Sequence, residues 1–248
     1  MYHGIGEPAD PAEGARYTVT VPDFDRQLDE VDASSVVVLA PDRIADGSCG
    51  VVFTFDDGEA SVARCALPKL ARRGHRGALF MTTGWLGRHG YLDAAALREL
   101  HAAGWLIGSH GHTHRFLTTL DPSELRNELR RSRDELANLL GFVPRHLSFP
   151  GGRTSPQVEA TARELGFSTF WSSVPGINRR GYRKQPIRRT VVRRGDPIER
   201  FRKLVHGDPV AHALDEVMAR GRGLVRKLLG DERYHGVTGE VLAAFDKR

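Results

Sequence analysis

Thr54-Phe55-Asp56-Asp57-Gly58 closes the apolar run Val51-Val52-Phe53 and sets two adjacent carboxylates at the end of a strand-like segment. Like charges this close raise one another's pKa, and burial raises both further, unless a cation lies beside them or one carboxylate keeps its proton. A metal ion resolves the conflict. Further along, Ile107-Gly108-Ser109-His110-Gly111-His112-Thr113-His114 supplies imidazoles, again just past a short apolar run. Two geometries are open there. In a helix starting at Ser109, His110 and His114 share one face and His112 points away; in an extended segment all three line one side and His112 is a reserve ligand.

The elements that must position these groups alternate along the chain, strand then helix, as in a parallel sheet covered by helices. Strand candidates are Cys49 to Phe55, Gly77 to Met81, Trp105 to Ile107, His146 to Phe149, Phe167 to Trp171 and Ile187 to Val192. Asp121-Pro122-Ser123-Glu124 carries an N-cap acceptor, a first-turn proline and a capping-box glutamate, opening a helix that Gly141 ends. Asp93 and Ser155-Pro156 open two more, stopped at Gly104 and Gly166. Asp56 and Asp57, Thr82 to Trp85, His110 to His114 and Pro150 to Arg153 all fall after strands and before helices. In parallel α/β folds that is a single face, the one carrying active sites. Alone, Asp-Asp-Gly reads as a turn and the histidines as polar surface; the combination on consecutive βα units carries the signal.

The chain has 248 residues, 40% of them hydrophobic, with 13 prolines and a formal net charge of +5. That length suits one large α/β domain or two smaller ones, and no apolar stretch approaches the ~20 residues of a membrane span. Met1 to Ala15 is rich in Gly, Pro and Asp without an apolar core, so no secretory signal is visible and a cytoplasmic location is expected. Cys49 and Cys65 read as reduced, buried small hydrophobes. Arg179, Arg180, Arg183, Lys184, Arg188, Arg189, Arg193 and Arg194 crowd the segment 179–194. It reads as solvated surface or as a grip on an anionic glycan, a lipid-linked precursor or a membrane surface. No nucleic-acid motif accompanies the charge, and none is expected as partner.

Together these residues resemble the NodB-homology polysaccharide deacetylases, carbohydrate esterase family 4, from about Tyr17 to His206. The first family motif, Thr-Phe-Asp-Asp-Gly, is matched in full by Thr54 to Gly58. The second, His-[Ser/Thr]-x-x-His, is met at both histidines by His110 and His114, with Gly111 where Ser or Thr is usual. The resemblance implies a distorted, incomplete (β/α) barrel, a divalent metal on Asp57, His110 and His114, and Asp56 as catalytic base. One carboxylate and two neutral imidazoles leave such an ion open positions for water and substrate. Zinc is expected first, and the ligand set also accepts cobalt, nickel or ferrous iron.

The third motif, Arg-x-Pro-[Tyr/Phe/Trp], appears only as Ser148-Phe149-Pro150-Gly151. Its arginine is missing, and Arg153 is the substitute expected to orient the base. The backbone N–H of Gly151 is expected to help hold an oxyanion, with Pro150, Trp85 and Trp171 contacting the sugar. The fourth motif, around Asp-Trp, and the fifth, Leu-x-His, are absent, which leaves His146, His206 and His212 as candidates for the general acid. The expected partition is an N-terminal extension at 1–16, the deacetylase domain at 17–206 and a helical extension at 207–248. In the last, Leu214, Val217, Met218, Val225, Leu228 and Leu229 read as an amphipathic helix with arginines opposite, packed on the barrel or, as the second reading, facing a partner or a membrane interface.

The resemblance implies a metal-dependent hydrolase that removes N-acetyl groups from an amino sugar in a polysaccharide or lipid-linked precursor. Three alternatives stand beside it. One is a catalytically silent metal- and glycan-binding relative, one a same-fold hydrolase of O-acetyl esters or small cyclic amides, and one a ferrous oxygenase, disfavoured by the α/β alternation.

Overall fold

The computed structural model describes residues 1–10, 14–46, 48–178 and 186–229. Phe53–Phe55 (β3), Gly77–Met81 (β4), Leu106–Ser109 (β5), His146–Ser148 (β6) and Thr169–Trp171 (β7) form one parallel sheet in that order. Every residue of β3 and β4 is buried, because helices cover one face and the curled sheet closes on the other. Each strand lies beside its successor in sequence, the arrangement that curls into a (β/α) barrel. With five strands the barrel is distorted and incomplete.

Two short strands precede the sheet, Gly4–Ile5 (β1) and Thr18–Val19 (β2), paired parallel to each other. Tyr2 pairs in parallel with Phe55 and its carbonyl accepts the amide of Asp56 at 3.0 Å. The first residues, which composition sets apart as an extension, therefore belong to the barrel wall beside β3. Tyr2 is buried against Phe24 and Phe55, ring centroids 5.3 and 5.5 Å away. Ile187 to Val192 is not a regular strand. It makes a single bridge to Trp171, and the Val192 amide then reaches the Met1 carbonyl at 2.9 Å, so an irregular segment spans the gap between β7 and the N-terminal strand.

Helices Val21–Asp32 (α1), Leu67–Ala71 (α2), Ala94–Ala102 (α3), Pro122–Leu140 (α4) and Pro156–Glu164 (α5) cover the sheet. The starts expected from sequence are present. Asp93 and Ser155 accept amides of their first turns, and Asp121 with Glu124 forms a full capping box. Strand ends shift by a residue or two for local reasons. The Trp105 amide closes α3 by bonding Leu100, so β5 starts at Leu106. Val51 is held only by a bridge to Val38, so β3 starts at Phe53 and Cys49 is exposed rather than buried.

Ile198–Val205 (α6) and Pro209–Leu229 (α7) follow the barrel. α7 docks in the reverse of the expected sense. His212, Asp215 and Glu216 are half-buried against the body, whereas Val210, Leu214, Val217 and Met218 are exposed. Ion pairs accompany this orientation: Arg200 binds Asp215 at 2.6 Å and Arg188 binds Glu216 at 2.9 Å. Of the remaining basic segment, Arg179, Arg180, Arg183 and Lys184 lie outside the described residues. Arg194 spends its guanidinium on the carbonyls of Gly6, Ala15 and Thr18. Arg188, Arg189 and Arg194 of this segment are thus tied to the body of the protein rather than offered as a free grip.

Candidate active site

Asp56 and Asp57 leave the end of β3, and His110 follows the end of β5, two strands away. The His110–His114 segment is neither helical nor extended. Gly111 at φ +80° and His114 at φ +64° curl the loop so that both imidazoles face Asp57, while His112 turns aside to Thr83 and Glu135 at 2.9 and 3.1 Å. A β-carbon at position 111 would lie 3.0 Å from Glu128 Oε1 and would need a left-handed backbone, which accounts for glycine there. Glu128 on α4 fastens the loop, accepting the amides of His112 and Thr113 at 2.7 and 2.6 Å and the Thr113 hydroxyl at 3.0 Å.

Asp57, His110 and His114 bring three ligand atoms within 4.8 Å of one another. His110 Nδ1 lies 2.9 Å from the Ser148 carbonyl, which only accepts, so the proton sits on Nδ1 and the Nε2 lone pair points inward. That lone pair faces Asp57 Oδ1 at 3.4 Å, and His114 Nε2 faces the same oxygen at 3.3 Å. Asp57 Oδ1 is buried with no hydrogen-bond donor. A carboxylate oxygen, the inward lone pair of His110 and a second imidazole nitrogen converging on one point fit a cation. Burial pushes the His110 pKa below the ordinary imidazole value, against the pull of Asp56 and Asp57, and so favours the neutral ligand form. Asp57 and His114 are the non-glycine residues with positive φ among the described residues, so backbone strain collects on the would-be ligands.

Asp56 is handled differently. Arg189 clamps it with two bonds of 2.7 Å, one to each carboxylate oxygen, and Ser148 Oγ adds a third at 3.1 Å. The same guanidinium reaches Ser148 Oγ and the Ser172 carbonyl at 2.7 and 2.9 Å and lies over the Phe80 ring. Burial alone would raise the Asp56 pKa; the charge of Arg189, then His110, and the Arg189 hydrogen bonds outweigh it and hold the carboxyl below its ordinary value.

Arg153, the expected orienter, instead lies over the Phe116 ring, 3.8 Å from its centroid. The guanidinium on Asp56 comes from Arg189. Sequence reading assigned Arg189 to a surface charge run because an irregular segment carries no period to show which way a side chain points. Ser148 stands where the third motif has arginine, and its small side chain leaves room for the incoming guanidinium.

His3 also escaped notice. It follows Tyr2 in a bend ahead of β1, is half-buried, and its Nδ1 is shielded from solvent without a hydrogen-bond partner. Burial lowers its pKa, while the charges of Asp57 and Asp56 pull it back up, which places it in the field of both carboxylates. A single bridge followed by a bend gives no alternation to read.

The expected sugar contacts divide. The half-buried Trp85 ring lies tilted against both His114 and Tyr91, ring centroids 4.9 Å apart in each pair. Trp171 is 1% exposed, packs on Phe80, donates Nε1–H to His146 Nδ1 at 3.2 Å and lines, with Thr54 and Arg189, the cavity that also holds His206 and His212. Pro150 is buried, and Gly151 turns the chain at φ +62°. None of the three reserve histidines joins the cluster. His146 begins β6, at the far end from Asp56. His206 and His212 line a cavity of about 880 Å³ together with Val51 and Val52, ahead of β3.

The sequence pattern of the polysaccharide deacetylase family matches residues 45–170, half of the chain, and the protein belongs to that family. A peptidoglycan-N-acetylglucosamine deacetylase of Bacillus cereus is 25% identical over 175 residues, 68% of this chain and 62% of its own length. A chitin deacetylase of Pestalotiopsis is 28% identical over 126 residues, 50% of this chain and 42% of its own. The chain thus spans less than two thirds of either relative. The deacetylase PplD of Streptococcus pyogenes, solved in complex with acetate, superimposes with a TM-score of 0.72 at 22% identity, covering 84% of this chain and 95% of that one. It shares the fold.

Proposed function

We propose that the protein is a metal-dependent N-deacetylase acting on an acetylated amino sugar within a glycan and releasing acetate. The observation that carries this reading is the convergence of Asp57 Oδ1 and two imidazole nitrogens on one point, beside a second carboxylate that Arg189 keeps ionised. A divalent cation bound to Asp57, His110 and His114, with zinc the best match to one carboxylate and two imidazoles, would supply Lewis-acid polarisation of the acetamide carbonyl and a more acidic water.

Around it, this chain's residues have separate tasks. Asp56, ionised at neutral pH, accepts the proton lost by the attacking water as the new C–O bond forms. The Gly151 amide, on the turn after β6, is proposed to donate to the developing oxyanion. His3, half-buried with its Nδ1 unpartnered, is proposed to take up a proton from solvent and, as the imidazolium, pass it to the sugar nitrogen as the C–N bond breaks, in place of the absent Leu-x-His histidine. The products are acetate and a free amine. Trp85 offers an aromatic face beside His114 on which a pyranose ring would stack. The names of the matched relatives support a chitin-like or peptidoglycan-like substrate.

Incubation of zinc-loaded protein with N-acetylated chitooligosaccharides and with peptidoglycan fragments, followed by acetate assay, tests the reading. Acetate release that chelation abolishes and zinc restores is expected. Loaded protein that releases none from either substrate would refute it.

A further inference from the structure

α7 is built the wrong way round for a helix that merely finishes a globular domain. Its half-buried face is polar: Asp215 binds Arg200 at 2.6 Å, Glu216 binds Arg188 at 2.9 Å, and His212 Nε2 lies 3.1 Å from the Leu204 carbonyl. Its outward face is apolar, with Val210 75%, Leu214 58%, Val217 65% and Met218 51% exposed. Positions 210, 214, 217 and 218 follow the i, i+4, i+7, i+8 spacing of one helical stripe. A soluble surface seldom carries such a stripe without an occupant.

Charge indicates which occupant. Both acids of the helix are consumed within the protein, Asp215 by Arg200 and Glu216 by Arg188 and Arg220. From Val217 to Leu229 the sequence contains Arg220, Arg222, Arg226 and Lys227 and no acid, and its apolar spacing runs on through Leu224, Val225 and Leu228. An exposed apolar stripe on a helix whose sequence adds cations and no further acid matches an anionic lipid surface. Two such helices from separate copies would bring like charges together. No described helix is long and apolar enough to cross a membrane, so the fit is to lying on the surface. We propose that α7 is an interfacial helix that lays Val210, Leu214, Val217 and Met218 into the headgroup layer of an anionic bilayer. The inference does not depend on the reaction catalysed.

Flotation of the full chain with phosphatidylglycerol-containing vesicles and with pure phosphatidylcholine vesicles tests it. Binding to the anionic vesicles that weakens as salt is raised is expected. L214S/V217S/M218S should bind at least tenfold more weakly with an unchanged melting temperature, since these side chains touch solvent. R222Q/R226Q/K227Q should lose the preference for anionic lipid. Absence of wild-type flotation, or equal flotation of the serine variant, would overturn the proposal. So would a wild-type dimer in sedimentation that the serine variant dissociates, because the face would then belong to a second copy.

Discussion

Arg189 closes on Asp56 across 133 positions of sequence with two 2.7 Å bonds, and Ser148 Oγ bridges acid and base. The arginine missing from the third motif is thereby supplied from a different segment, onto the same carboxylate, through the space that Ser148 leaves. Arg189→Met should leave Asp56 buried and uncompensated, lowering stability by about 3 to 5 kcal/mol in urea unfolding. It should also raise the Asp56 pKa and shift the acid limb of the rate profile upward in pH. A variant with wild-type stability and profile would show the pair to be incidental.

The ligand set and the base should separate cleanly. Asp57→Ala and His114→Ala are expected to lose zinc binding by calorimetry together with turnover, whereas Asp56→Asn should keep the metal and lose turnover. Retained activity in Asp56→Asn would remove it from the role of base.

His3→Gln keeps the size of the side chain but cannot deliver a proton at neutral pH. Zinc affinity should be unchanged while kcat falls on the order of a hundredfold or more. The loss should be smaller for substrates with a better leaving group. If kcat and its dependence on the leaving group match wild type, another group protonates the amine.

Glu128 never touches the proposed metal position, yet three of its bonds fix the loop that carries both imidazoles. Glu128→Ala should weaken zinc binding by roughly 10- to 100-fold, as losses of supporting groups around metal ligands do. Glu128→Gln, which retains an acceptor oxygen, should recover part of it.

His146 gives a pH signature remote from the site. Burial lowers its pKa to about 4, and its Nδ1 accepts from Trp171. A histidine depressed in the folded state stabilises the fold above its unfolded pKa, near 6.5, and that contribution is lost as pH falls through the folded value. Chemical denaturation should therefore show stability dropping between pH 6.5 and 4 by up to about 3 kcal/mol from this residue. His146→Gln, which still offers Trp171 an acceptor, should flatten that limb.

The sequence alone determined the parallel α/β alternation, the caps at Asp93, Asp121 and Ser155, and the two dense motifs at Thr54–Gly58 and His110–His114. Each is encoded locally, in a hydrophobic period, a capping residue or a cluster of ligand types. It also determined that both motifs reach one face, since residues after parallel strands must. Tertiary structure decided the rest. Whether His110 and His114 meet through a helix or a loop was settled by Gly111 and by Glu128 from α4. The partner of Asp56 proved to be Arg189 rather than Arg153, brought in by an irregular segment that carries no readable period. α7 turned Leu214, Val217 and Met218 outward and set Asp215 and Glu216 against Arg200 and Arg188. Long-range pairing of charges leaves no local trace in a sequence, and only the closed barrel brings those partners within reach.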